Sequence, residues 1–216
     1  MVASSRFRLA IFDLDGTLTK ARSLWQYIHH TLGLGEPGGL DFLARFEAGE
    51  IDYFTFCHLD AALWKGRSGD ELRRVALGVP FYLGVEQLLQ YLQGQGLRLA
   101  LISSGLTLLS DYVRDRFGFD FAVANELELE EGRVTGRVRT LVQPGQKDFW
   151  IRQLLAQWEV APGEVMAFGD SLTDRELFGL SGFAVAINSA VPELESQVDL
   201  DFRGDDLSLV IEHLPL

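Results

Sequence analysis

The chain has 216 residues, 47% hydrophobic and 23% charged, a globular composition long enough to bury a full core in one domain with an insertion or in a large and a small domain. Its 31 acidic and 19 basic residues leave a formal net charge of −12, which opposes polyanions and argues against nucleic acid as a partner. No stretch approaches the roughly 18 apolar residues of a membrane span, Leu9 to Phe12 is too short for the apolar core of a signal peptide, and the single Cys57 excludes an internal disulfide. The expectation is a cytoplasmic protein with no membrane partner.

The run Phe7 to Phe12 is short, apolar and rich in strand formers, as in a central parallel strand buried on both faces. It ends in Asp13-Leu14-Asp15-Gly16-Thr17, placing two carboxylates at the carboxyl edge of the sheet, where open α/β folds bind ligands. From Lys20 to Val79 the pattern is helical throughout. Trp25, Ile28 and Leu32 share a face of one helix and Leu40, Leu43 and Phe46 a face of a second. A third helix is expected from Asp52, an N-cap, to Gly66, and a fourth from Ser68 with Glu71 at capping-box spacing. The aromatic residues of this segment, including Phe54, Phe56 and Trp64, suit a small core, with Trp25 and Tyr53 as candidates to line an entrance. Cys57 among them suits a buried structural thiol. His29, His30 and His213 show no metal-ligand spacing and are expected at the surface or at helix ends.

After Pro80 strands and helices alternate. A helix through Leu88, Leu89 and Leu92 precedes the strand Leu97 to Ile102, which meets Ser103-Ser104-Gly105 just before another helix; a hydroxyl and free amides there could bind an anion, or simply cap the helix. Phe121 to Ala124 is a short strand, Glu126 to Thr140 alternates about Glu131-Gly132 as a hairpin, and Lys147 opens a helix where its charge opposes the helix dipole. The strand Val165 to Phe168 exits into Gly169-Asp170-Ser171-Leu172-Thr173-Asp174, and Phe183 to Ile187 adds one more strand. The fold class is therefore α/β: a doubly wound, mostly parallel, Rossmann-like sheet with an inserted all-helical cap and a β-hairpin flap. Residues 1–19 and 81–216 form the expected core and residues 20–80 the cap, with Lys20 to Arg22 and Val79 to Tyr82 as the hinges.

These four segments, in this order, resemble the signature of the haloacid dehalogenase-like superfamily of phosphohydrolases, in the branch around phosphoserine phosphatase. Gly49-Glu50-Ile51-Asp52-Tyr53 is similar to a stretch in caps of that branch. The resemblance implies a magnesium-dependent phosphatase in which Asp13 attacks phosphorus to form an aspartyl-phosphate and Asp15 is acid and then base. It implies Mg2+ held by Asp13, the Asp15 carbonyl and Asp170, phosphoryl oxygens held by Ser103, the Ser104 and Gly105 amides and Lys147, and Asp174 orienting Lys147 or a water. The partner implied is a small phosphorylated metabolite. The chain departs from the branch where the substrate's amino and carboxylate groups are bound: Arg22 stands at the glutamate position and Asp60 at the arginine position. These two either contact a substrate other than phosphoserine or pair with each other. A phosphotransferase or mutase using the same intermediate, and a non-catalytic phosphate or magnesium sensor, are the alternatives.

Overall fold

The computed structural model describes residues 6–34 and 42–216. Leu40, expected on the second helix, lies outside the described residues. Seven strands form one sheet: β1 (Leu9–Phe12), β2 (Arg98–Leu106), β3 (Phe121–Glu130), β4 (Arg133–Arg139), β5 (Val165–Gly169), β6 (Phe183–Ile187) and β7 (Leu200–Phe202), in the order β4-β3-β2-β1-β5-β6-β7. All neighbours are parallel except β3 and β4. Alternation along the strands buries both faces. Ala10, Phe12, Leu99, Leu101, Met166 and Phe168 pack against α5 (Val85–Gly94) and α6 (Thr107–Phe117), while Leu9, Ile11, Ala100, Ile102, Val165 and Ala167 pack against α7 (Asp148–Trp158) and α8 (Arg175–Gly179). That is the period-two reading of near-continuous apolar strands sandwiched between helical layers.

The helices α1 (Leu24–Thr31), α2 (Phe42–Glu47), α3 (Tyr53–Ala62) and α4 (Gly69–Ala76) lie between β1 and α5. Ser23 and Asp52 cap α1 and α3 through their side chains. The chain stretches that leave and re-enter the sheet domain touch each other: Thr19 and Phe81 form an antiparallel bridge, the Lys20 amide donates to the Pro80 carbonyl at 2.8 Å, and the Tyr82 amide donates to Leu18 at 3.0 Å.

Several local expectations are corrected. The capping box at Ser68 is not formed; its side chain makes no cap hydrogen bond, and Glu71 instead accepts from Arg67 at 2.9 Å. The third helix stops at Ala62, short of Gly66, in a turn whose Trp64 is fully buried. Strand β2 runs on through Ser103-Ser104-Gly105 to Leu106, so these residues precede α6 as extended backbone rather than capping it. Strand β3 is ten residues long, pairing with β2 at one end and with β4 at the other. Their turn places Glu131 (φ 48°) and Gly132 (φ 74°) both at positive φ, which matches the strand twist.

Candidate active site

The carboxyl ends of β1, β2 and β5 and the start of α7 converge under the helical insert. Asp13 follows β1, and its amide donates to Phe168 on β5 at 2.9 Å. Lys147, at the residue before α7, is fully buried and reaches Asp13 Oδ1 at 2.6 Å and Asp174 Oδ1 at 2.7 Å. The dipole penalty noted in the sequence is thus offset by two ion pairs. Asp174 is spent on structure: its Oδ2 accepts from the amides of Asp170 at 3.0 Å and Ser171 at 3.1 Å. Asp15 Oδ2 accepts from the Leu24 amide at 2.9 Å and so fixes the first turn of α1 over the site, while its buried Oδ1 has no protein partner.

Two glycines are required by this convergence. Gly16 has φ 81°, and a Cβ there would stand 2.2 Å from Asp170 Oδ2. A Cβ on Gly169 would fall 2.6 Å from the Asp174 carboxyl carbon.

Burial dominates the electrostatics. It pushes Asp13 up to about 7 against the attraction of Lys147, with Asp174 and Asp15 adding to the rise. Burial likewise raises Asp15 to about 6, opposed by the Leu24 amide and Lys147. Asp170 is held well above the carboxylate range by burial and by its neighbours Asp174 and Asp13. For Lys147 burial alone would favour the neutral amine, but Asp13 and Asp174 outweigh it and hold the ammonium above its ordinary value.

A cavity of about 410 Å³ opens onto this cluster, lined at its floor by Asp13, Asp15, Ser104, Gly105 and Asp170. Ser103 is fully buried beneath it and is not part of the lining; its Oγ accepts from the Gly105 amide at 2.9 Å, so that amide is not free as expected. Arg22 lines the mouth. It donates to Asp170 Oδ2 at 3.2 Å and to the Asn188 carbonyl at 2.8 Å.

Arg22 and Asp60 are not brought together. Asp60 is buried in the insert, away from the cavity lining, with its Oδ1 3.2 Å from His29 Nε2. His29 is correspondingly not a surface residue: only 13% of its side chain is exposed, and its Nδ1 accepts from the Trp64 indole at 3.2 Å. Trp64 in turn stacks on Trp25 at 5.4 Å between ring centroids. Asp60 therefore lies inside the insert beside His29 and not at the cavity.

One important residue carries no signal in the motifs. Asn125 is fully buried; its Nδ2 donates to the Ser104 carbonyl at 2.8 Å, to Val142 at 3.0 Å and to Tyr53 Oη at 3.1 Å, and its Oδ1 accepts from the Leu141 and Val142 amides. Tyr53 Oη, at 2.5 Å, and Trp25 Nε1, at 3.4 Å, also donate to the Ser104 carbonyl. The insert is thereby tied to the strand end that lines the cavity. A lone asparagine directly after the apolar Val123-Ala124 was the available hint, since a buried amide needs partners.

The model of the haloacid dehalogenase-like hydrolases matches residues 10–178. The chain belongs to that family. It is 28% identical over 183 residues to the phosphoserine phosphatase of Archaeoglobus fulgidus, covering 84% of this chain and 53% of that one. It is 29% identical over 187 residues to the phosphoserine phosphatase of Streptomyces coelicolor, covering 84% and 44%, so it spans about half the length of these two relatives. The phosphoserine phosphatase of Idiomarina loihiensis is 28% identical over 200 residues, covering 92% of this chain and 90% of that one. In fold the chain is similar to a solved phospho-aspartyl intermediate analogue of phosphoserine phosphatase, with a TM-score of 0.83 and 19% identity over 97% of this chain and 100% of the other. Among the described residues, no helix is long and apolar enough to cross a membrane.

The donor set suits a hard divalent cation. Asp13, Asp170 and Asp174 each offer a buried carboxylate oxygen within 4.8 Å of the others. With Asp15, four carboxyl groups face Lys147 and Arg22 among the described residues; when ionised they carry two negative charges more than these cations supply, which a divalent ion would balance. Because both oxygens of Asp174 are already engaged, Asp13 and Asp170 are the side chains left to bind an ion.

Proposed function

We propose that the chain is a magnesium-dependent phosphomonoesterase of the cytoplasm, acting on a small phosphorylated metabolite other than phosphoserine, with residues 20–80 as a cap over a core of residues 1–19 and 81–216. The observation that carries this reading is the contact of Lys147 Nζ with Asp13 Oδ1 at 2.6 Å at the floor of a cavity that also presents Asp15 and Asp170. A lysine so placed orients one carboxylate oxygen and leaves the other for attack.

Asp13 Oδ2 forms a bond to phosphorus as the bond to the leaving oxygen breaks, and Asp15 Oδ1 delivers its proton to that oxygen. Burial favours the protonated form of Asp15 that this step needs. A water then attacks phosphorus, giving its proton to Asp15, and the Asp13 to phosphorus bond breaks to release inorganic phosphate. Magnesium would be held by the carboxylates of Asp13 and Asp170 and the Asp15 carbonyl, and would supply positive charge against the phosphoryl oxygens. Lys147 and the backbone amide of Ser104 share that load, while the Gly105 amide is held from below by Ser103 Oγ. Asp174 fixes Lys147. Arg22, at the mouth, holds Asp170 and the Asn188 carbonyl and leaves a cationic rim there, whereas Asp60 acts inside the cap.

The test is phosphate release from p-nitrophenyl phosphate with and without Mg2+, in wild type and Asp13→Asn. Magnesium-dependent turnover lost in the variant is the expected result. An inactive wild type would favour a phosphate or magnesium sensor, and an active Asp13→Asn would remove the assigned nucleophile.

A further inference from the structure

The roof of the cavity differs in character from its floor. It is made by Trp25 of α1, Leu43 and Phe46 of α2, Tyr53 and Phe56 of α3, and Pro144 from the loop before α7. The rings form one continuous wall: Phe46 lies 5.5 Å from Tyr53 and 5.7 Å from Phe56, and Phe56 lies 5.9 Å from Trp25. Leu43 and Phe46 are only half-buried, so part of this wall is left uncovered toward the cavity.

The polar handles of the wall are already used. The Tyr53 hydroxyl donates to the Ser104 carbonyl and accepts from Asn125, and the Trp25 indole donates to the same carbonyl. These two rings and Phe56 are buried in the core of the insert, so the apolar surface left for a ligand is chiefly that of Leu43 and Phe46. Among the described residues, the only carboxylates lining the cavity are Asp13, Asp15 and Asp170, all committed to the chemistry. An ammonium group on a leaving alcohol would therefore lose its water without gaining a counter-charge. An aromatic wall can also hold a quaternary ammonium through cation-π contact, but the one charged side chain at the cavity outside the carboxylate cluster is Arg22, a cation. Like charge at the mouth opposes a cationic leaving group and tolerates a neutral one.

We infer that the leaving group taken by this site is an uncharged primary alcohol bearing a flat apolar ring, so that the substrate is an arylalkyl phosphomonoester, packed between the aromatic wall and Pro144. The inference rests on the phosphatase reading above. The reaction is the hydrolysis already written, with the arylalkyl alcohol leaving as the neutral product after Asp15 protonates its oxygen.

The experiment compares kcat/KM, at saturating Mg2+, for three phosphates of primary alcohols: 2-phenylethyl phosphate, phosphocholine and phosphoserine. p-Nitrophenyl phosphate reports separately on the chemistry. The ring compound is expected to lead both others by at least about tenfold, the scale on which hydrophobic pockets discriminate. In Phe46→Glu, and independently in Leu43→Glu, a carboxylate on the roof is expected to lower that ratio and shift it toward phosphocholine. Hydrolysis of p-nitrophenyl phosphate with phosphoserine or phosphocholine equal to or ahead of 2-phenylethyl phosphate overturns this inference alone. Absence of magnesium-dependent release from all four esters overturns the phosphatase reading and this inference with it.

Discussion

Replacing Lys147 by methionine keeps most of the side-chain volume and removes the charge, which makes it the sharpest probe of the site. The ammonium sits 2.6 Å from Asp13 and 2.7 Å from Asp174. At an effective dielectric of about 20 each attraction is on the order of 6 kcal/mol, set against a desolvation cost of several kcal/mol per ion. The net effect of leaving two carboxylates buried without their cation is a loss of about 3–5 kcal/mol. The loss depends on pH. Asp13 is an acid whose folded pKa of about 7 already exceeds its ordinary 3.8, so its burial costs stability only where the unfolded carboxyl is ionised: the penalty is absent at low pH and grows as pH rises from 3.8 toward 7. Removing Lys147 strips the main attraction opposing that rise, so Lys147→Met is expected to be less impaired at pH 5 than at pH 8. Urea unfolding followed by circular dichroism measures both, with an unchanged m-value confirming a common unfolded state. A loss under about 1 kcal/mol at pH 8, or a deficit that shrinks as pH rises, would show that the lysine charge is not what holds Asp13 and Asp174 together.

Magnesium is expected to raise the midpoint of thermal unfolding of the wild type, more at pH 8 than at pH 5, because burial favours the protonated carboxylates that must ionise to bind it; Gly16→Ala should lose the effect, its Cβ falling 2.2 Å from Asp170. A shift that Gly16→Ala retains in full contradicts the assigned site. Asn125→Ala should cost about 3 kcal/mol or more in urea unfolding, since it strands the Leu141 and Val142 amides, and a neutral result would mean that water replaces the amide. Asp60→Asn should lower stability while leaving KM for any substrate within about twofold, a factor worth under 0.5 kcal/mol, because Asp60 faces His29 and not the cavity. A tenfold rise in KM would return Asp60 to the substrate site.

Much of the fold was legible because the buried strands are written as short apolar runs that end in chemistry. Val165 to Phe168, closed by Gly169-Asp170, is buried on both faces, and no helix period fits it. The extension of β2 through Ser103-Ser104-Gly105 was not legible, since a polar Ser-Ser-Gly run carries no strand signal and lies in the register shift between Ile102 and Leu106, where Asn125 Nδ2 donates to the Ser104 carbonyl and Ser103 Oγ accepts from the Gly105 amide. Strand β7 was missed for a similar reason: three residues, Leu200 to Phe202, are too few to show a period. At the site, Asp13, Asp15 and Asp170 could be placed at one sheet edge because β/α topology brings strand ends together, while Lys147 and Asp174 took their places from the family resemblance. Asp60, Asn125 and His29 depend on how α1 and α3 rotate against each other and against β3, and position along the chain does not encode rotation.

The bridge between Thr19 and Phe81 means that the helical segment leaves the sheet domain and returns to it at one point, closed by a hydrogen bond between Lys20 and Pro80. The segment is also stitched to the β3–β4 hairpin, by the Ser68–Arg133 bridge and by the Gly66 and Gly69 amides donating to Val134 and Gly132, so it can vary without disturbing the sheet only where those contacts are kept. On the proposed reading, reaction and selectivity are carried by different stretches of chain: the carboxylates and Lys147 lie at the sheet edge, and most of the apolar wall belongs to the helices. A new substrate preference can arise by changes confined to residues 24–76, with the hydrolytic apparatus inherited intact.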